Sequence, residues 1–92
     1  MAKAVEALGG LDLLVANTGG PAGGTFDSLS DDDWGAAIEG TMRSVLRLVR
    51  AALPHLRASE VPSILIVLSS SVREPIPALT TSNVLRPGLA GL

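Results

Sequence analysis

Apolar and polar positions divide the 92-residue chain into two short apolar runs flanking one long amphipathic segment. The second run, Ile64-Leu65-Ile66-Val67-Leu68, stops at Ser69-Ser70-Ser71. Five consecutive large apolar residues, three of them β-branched, predict a strand over 64–69 buried on both faces, as in the middle of a parallel sheet. The first run, Leu11-Asp12-Leu13-Leu14-Val15-Ala16, predicts a strand over 11–16. It gives way to Asn17-Thr18-Gly19-Gly20-Pro21-Ala22-Gly23-Gly24, whose four glycines and proline mark a loop.

Between the runs, Trp34, Ile38, Met42, Val45, Val49, Ala52 and Leu56 recur every three or four positions. That spacing is one apolar stripe and predicts a helix over 31–57 within the segment Ser28–Arg57. Ser30 with Asp33 forms a capping box at its start. Asp31, Asp32 and Asp33 suit the positive end of the helix dipole, and Arg47, Arg50 and Arg57 the negative end. Arg43, Arg47, Arg50 and Glu39 lie off the stripe and read as a solvated face. Gly40 weakens the middle of the helix, and Pro54 is expected to kink or end it.

The ends of the chain carry less. Met1–Leu8 is a short helical stretch with Ala2, Val5 and Leu8 on one face, closed by Gly9-Gly10. Arg57–Ser63 is a connector, and Arg73–Pro77, with two prolines, an extended loop. Thr80-Thr81-Ser82-Asn83 can cap a last helix of barely two turns, in which Pro87 fits early and not later. The order is helix end, strand, helix, strand, helix start. Two such strands joined by a helix form a parallel α/β unit of the βαβ type, with a right-handed crossover.

In an open parallel sheet, ligands bind beyond the carboxyl ends of the strands. The serines after residue 68 and the glycine loop after residue 16 both fall there. Each also has a plainer reading, a polar turn for the serines and a surface loop for the glycines. The glycines match no GxGxxG or GxxxxGK[ST] pattern, so they make no phosphate cradle by themselves.

Composition narrows the class. Trp34 and Phe26 are the only aromatic residues, so the core must be built from Leu, Val, Ile and Ala. Net charge is −2 with no basic cluster, which argues against a nucleic-acid surface. There is no cysteine, and His55 is the only histidine, so neither a disulfide framework nor a zinc site is expected. No apolar run reaches the ~18 residues of a membrane span. The N-terminus lacks the plan of a signal peptide, so a cytoplasmic location is expected.

Leu11–Gly19 resembles the fourth strand and Asn-Asn-Ala-Gly motif of the short-chain dehydrogenases/reductases. Phe26 and the Asp33-Trp34 pair look like that family's next landmarks. Ala51-Ala52-Leu53-Pro54-His55-Leu56 looks like the end of its long helix. Ile64–Ser71 looks like its fifth strand and catalytic serine, and Gly88-Leu89-Ala90-Gly91-Leu92 resembles the helix that carries its active-site Tyr and Lys. The match covers essentially the whole chain and is similar to divergent members grouped with 3-oxoacyl-carrier-protein reductases.

The resemblance implies a Rossmann-like, doubly wound parallel sheet, of which this chain is a βαβ unit plus the start of a further helix. Residues 1–92 would be the central part of a single NAD(P)-binding domain. It implies hydride transfer between NAD or NADP and a small carbonyl or alcohol, with Asn17, Thr18 and Gly19 beside the cofactor. Ser70 or Ser71 would hydrogen-bond the substrate oxygen, Ser71 being favoured because Val72 follows it as in many members. It also implies a homo-oligomer paired through the long helix, where Ala36, Ala37, Gly40 and Ser44 permit close approach.

The departures are specific. The family's Tyr-x-x-x-Lys falls on Ser82-Asn83-Val84-Leu85-Arg86, its helix Asn falls on Thr41, and the chain has no tyrosine. Ser82, Arg86 and Thr41 are therefore candidate site residues of altered chemistry, with Arg86 also able to hold a ribose or phosphate. The expected function is that of an oxidoreductase with an atypical active site. The alternative is a catalytically silent relative that binds nucleotide or acts as a subunit.

Overall fold

The computed structural model describes all residues, Met1–Leu92. In order it contains α1 (Ala2–Leu8), β1 (Leu13–Ala16), α2 (Asp31–Ala37), a π-helical turn (Ile38–Arg43), α3 (Ser44–Arg57), β2 (Ser63–Ile66), a 3₁₀ turn (Ser70–Val72) and α4 (Thr80–Ala90). β1 and β2 pair in parallel with Leu13 opposite Ser63 and Ala16 opposite Ile66. The expected βαβ unit is present.

Both strands are shorter than 11–16 and 64–69. Hydrogen bonds run one step beyond the ladder at each end, from Ser63 N–H to the Asp12 carbonyl and from Val67 N–H to the Ala16 carbonyl, both 2.8 Å. Beyond Ala16 the first strand turns into the glycine loop, so residues 68 and 69 lose the partner they would need. Nor is β2 buried on both faces. Leu14 and Ala16 are buried on one side, while Leu13, Val15, Leu65 and Val67 stand exposed on the other. Side chains alternate across a strand, so the parallel register puts each set on its own face.

One face of the sheet carries the core. Leu14 packs with Ala52 and Leu56 of α3. Ala16 packs with Val45 of α3 and Leu89 of α4, with Met42, Val49, Ile66 and Leu68 around them. Aliphatic residues fill the whole of it, as the shortage of aromatic residues requires. Phe26 is exposed and lies beside the ring of Trp34, with centroids 6.5 Å apart.

The long helix begins as expected. Asp33 N–H donates to Ser30 Oγ at 3.1 Å and Ser30 N–H donates to Asp33 Oδ2 at 2.8 Å. Its middle differs. The residues that face inward there are Ala37 and Thr41, while Ile38 of the expected stripe is exposed. A π turn closes its hydrogen bonds one residue later than an α-helix does, and so rotates the face presented to the core. The turn contains Gly40, whose carbonyl also accepts from Ser44 Oγ at 2.6 Å. Pro54 neither ends nor interrupts α3, which runs on to Arg57. Glu39 pairs with Arg43 at 3.2 Å and Arg47 at 3.0 Å, all three well exposed, as a solvated face should be.

At the ends, α1 is capped by Gly9 at φ 78° but buries no residue, so the face expected from Ala2, Val5 and Leu8 finds no partner. α4 is longer than two turns and starts at Leu79 with no side-chain cap, so none of Thr80, Thr81, Ser82 and Asn83 serves as one. Pro87 sits late in α4, not early. It withholds one donor from the turn before it, and the helix still closes through Gly91 N–H on the Pro87 carbonyl at 3.2 Å.

Candidate functional site

The carboxyl ends of the two parallel strands release two loops, and α4 starts between them. The first loop is anchored. Gly24 N–H donates to the Ala78 carbonyl at 2.7 Å, Thr80 N–H donates to the Gly24 carbonyl at 3.3 Å, and Gly24 bridges Leu79 in parallel. Thr81 Oγ1 donates to the Ala22 carbonyl at 2.9 Å. Gly24 is required there. Its φ is 158°, and a Cβ would stand 2.8 Å from Ser28 Oγ and 3.2 Å from Leu29. Gly19 and Gly20 differ, since a Cβ on either would meet nothing within 4 Å. Asn17 and Gly19 are exposed and Thr18 half-buried. The loop is thus fastened at its far end and open at the end nearest the strand, which leaves its backbone reachable by a flat ligand.

The second loop begins with the serines. Ser69 Oγ accepts from Ser71 N–H at 3.2 Å and so starts the 3₁₀ turn. That turn swings Ser71 inward and Ser70 outward. Ser71 is buried and its Oγ lies 3.0 Å from Ser82 Oγ, which is also buried; either hydroxyl can donate. Ser70 is exposed and makes no side-chain contact with this pair; its carbonyl accepts from Arg73 and Glu74 N–H. Of the two serines, the structure brings Ser71 to Ser82.

Arg86 stands four residues after Ser82, on the same face of α4. It is buried, and its Nη1 donates to the Val67 carbonyl at 3.4 Å, just past the end of β2. A guanidinium carries five N–H donors, and only this one has a protein acceptor. No buried side-chain nitrogen or oxygen lacks a partner, so the remaining donors touch solvent. A serine hydroxyl pair with a positive group one turn away can hold an oxygen atom that gains negative charge.

Thr41 is placed elsewhere. It is fully buried in the π turn and lines a cavity of about 370 Å³ with Gly19, Gly20, Pro21, Ala22 and Asp33. It therefore associates with the glycine loop, and no hydrogen bond joins it to Ser71, Ser82 or Arg86. The π turn packs against α4, where a Cβ on Gly88 would meet Met42 Cε at 2.9 Å.

Two residues with marked geometry are Thr81 and Asn83. Asn83 Oδ1 accepts from Ile76 N–H at 3.0 Å, and Asn83 Nδ2 donates to the Ile76 carbonyl at 2.9 Å. Both residues have the chemistry of helix caps, and their spacing carries no sign of these tertiary bonds. The only available signal is that four polar residues in a row exceed what one helix start can use.

The family model for short chain dehydrogenases matches residues 1–81. A short-chain type dehydrogenase/reductase of Mycolicibacterium smegmatis is 49% identical over 53 residues, covering 56% of this chain and 19% of that protein. Among solved structures, an NADPH-bound short-chain oxidoreductase of Pseudomonas aeruginosa, described as containing an atypical catalytic center, superposes with a TM-score of 0.92. It is 28% identical and matches 98% of this chain and 35% of that one. A carveol dehydrogenase of Mycobacterium avium in complex with NAD gives a TM-score of 0.88 at 29% identity, over 98% of this chain and 33% of that one. The chain spans between a fifth and a third of the length of the curated relatives it matches.

Proposed function

The chain belongs to the short-chain dehydrogenase family, and from that membership we propose that it is the central part of an NAD(P)-dependent oxidoreductase with an atypical active site. Its Rossmann-like βαβ unit would carry the cofactor loop and the substrate-facing hydroxyls of one domain. The substrate class is a small carbonyl or alcohol. The observation that carries this reading is the buried Ser71–Ser82 hydroxyl pair, 3.0 Å apart, with Arg86 one turn beyond it.

Asn17, Thr18 and Gly19 are the residues assigned to the cofactor, with Arg86 reaching a ribose or phosphate. The open backbone at Gly19 and Gly20 and the exposed Asn17 suit that assignment. Bound NAD(P)(H) would supply or accept the hydride. The protein's own part is to hold the substrate oxygen. Ser71 and Ser82 would each direct a hydrogen bond at it, and Arg86 would favour the negative charge that develops there. A guanidinium and a serine hydroxyl are both poor proton donors, so neither replaces a tyrosine as general acid. The proton taken up by the product oxygen would come from solvent through the serine pair. In this reading Thr41 acts at the glycine-loop cavity that it lines and not at the reacting oxygen. A homo-oligomer paired along the long helix, where Ala36 and Gly40 are exposed, is part of the same proposal.

One observation favours a second reading. The chain contains no tyrosine, which suits a silent relative that binds nucleotide without turnover. Titrating the full-length gene product with NADPH and NADH for binding, and scoring their oxidation with carbonyl substrates separately, distinguishes the two. Binding with slow oxidation supports the oxidoreductase, binding without any oxidation supports the silent relative, and no binding removes both.

A further inference from the structure

The segment between Ser71 and Ser82 has to close a loop that contains Pro75 and Pro77 and reaches a left-handed backbone at Ala78, φ 60°. Its first residues are tied to Ser70, through Arg73 and Glu74 N–H on the Ser70 carbonyl at 3.0 and 3.1 Å. Its last residues are tied to the glycine loop through the Ala78 carbonyl. The middle is held by one side chain. Asn83 takes both backbone groups of Ile76, accepting at 3.0 Å and donating at 2.9 Å. A primary amide presents an acceptor and a donor side by side, so it can pair with one residue's N–H and C=O as a neighbouring strand would. Both bonds are partly buried, where they are worth most.

What the amide holds in place is a wall. Ser70, Arg73, Glu74, Pro75, Ile76 and Pro77 line an open cavity of about 350 Å³ beside the 3₁₀ turn that carries Ser71. Asn83 follows Ser82 directly, so one turn of α4 presents a hydroxyl to Ser71 and an amide to the loop. We infer that Asn83 is a positioning residue that fixes the Arg73–Pro77 loop as a wall of the substrate site, in register with the Ser71–Ser82 pair. This rests on the oxidoreductase reading above. Through Ile76 the amide sets how far the wall stands from the hydroxyls, and so which substrates meet both. The role is separate from binding the cofactor, whose assigned residues lie on the other loop.

The test uses Asn83→Ala and Asn83→Asp in the full-length protein. Trypsin reads the wall at the exposed Arg73, with the helical Arg47 and Arg50 as internal references. Releasing the middle of the loop should speed cleavage after Arg73 about ten-fold in Asn83→Ala and leave the helical sites unchanged. Asn83→Asp keeps the acceptor for Ile76 N–H and loses the donor, so it should fall between the two. With NADPH and ethyl acetoacetate as the carbonyl probe, Asn83→Ala should raise KM about five-fold and leave the Kd for NADPH unchanged. Equal cleavage after Arg73 in all three proteins overturns the inference. If Asn83→Ala loses its fold and the helical sites open too, Asn83→Asp decides by the same readout. A chain that binds no NADPH while Arg73 stays protected overturns the oxidoreductase reading and the positioning role with it. A chain that binds NADPH but whose KM ignores Asn83 overturns the positioning role alone.

Discussion

Thr81 Oγ1 donates to the carbonyl of Ala22 at 2.9 Å, across 59 residues of sequence. The bond fastens the start of α4 to the glycine loop one residue before Ser82, and Thr81 is almost wholly buried. Replacing Thr81 by Val keeps the shape and removes the donor, so the Ala22 carbonyl loses this partner and the buried Thr81 site loses its hydrogen bond. Thr81→Val should cost about 1–2 kcal/mol of stability, read as a lower urea midpoint with unchanged slope. A midpoint within error of the parent would show that water serves the Ala22 carbonyl equally well.

The reciprocal capping box at Ser30 and Asp33 starts the long helix, on which both core clusters depend. Ser30→Ala removes one of its two bonds and should cost about 1 kcal/mol. Circular dichroism during denaturation checks this, and a neutral substitution would mean that the three first-turn aspartates hold the helix start by charge alone.

The capping box, the Gly9 cap and the parallel strand pair follow from local chemistry, and each was legible in the residues; the one-sided core was not, since an apolar run alone does not say which face has a partner. A cap needs a hydroxyl and a carboxylate three apart, and a strand pair needs two apolar runs. The π turn at Ile38–Arg43 was not legible, because its hydrogen bonds shift by one residue without any residue announcing it. The stripe through Trp34 and Ile38 is regular on an α-helical period, yet Ala37 and Thr41 are the residues that face inward. At the site, Ser71, Ser82 and Arg86 were candidates through the family resemblance; the structure pairs Ser71 with Ser82 and places Arg86 four residues further along α4. Thr81 and Asn83 were hidden because cap chemistry and long-range tethering use the same side chains. Thr41 was legible as a candidate but not as a lining residue of the glycine-loop cavity.

Gly24 and Gly19 should respond differently to the same substitution. Gly24→Ala forces a Cβ against Ser28 Oγ and Leu29 in a backbone region that L residues rarely adopt. It should cost roughly 1–3 kcal/mol. Gly19→Ala meets nothing within the chain and should leave thermal stability unchanged. If Gly19 lies against the cofactor as proposed, the same change weakens NADPH binding. A Gly19→Ala protein with unaltered NADPH affinity would remove Gly19 from the cofactor site.

The family resemblance sets Ser82 and Arg86 at the positions of its Tyr and Lys. A tyrosine with a neighbouring lysine supplies a general acid, whose contribution is typically 10²–10⁴-fold. The double change Ser82→Tyr with Arg86→Lys should raise NADPH-dependent carbonyl reduction at least about ten-fold, since part of that gain is lost to an imperfect fit. Parent rates that already equal those of the double variant would mean that another group serves as the acid.

Leu13, Val15, Leu65 and Val67 stand on the sheet face opposite the core, exposed by 55, 50, 56 and 42%. Their register makes them one contiguous apolar strip: Leu13 and Val15 alternate on β1, and Leu65 lies directly across from Val15. The two strands also have one unpaired edge each, since the sheet contains only these two. Exposed apolar side chains beside free backbone donors and acceptors invite association with another chain. The 92-residue chain should therefore self-associate at micromolar concentration, with a thermal transition that depends on concentration. Val15→Lys with Leu65→Lys places two like charges opposite each other on that strip and leaves the Leu14–Ala52–Leu56 cluster untouched. Sedimentation should show the double variant shifted toward monomer. A parent that is monomeric with a concentration-independent, cooperative transition would show that the covered face alone is enough to hold the fold.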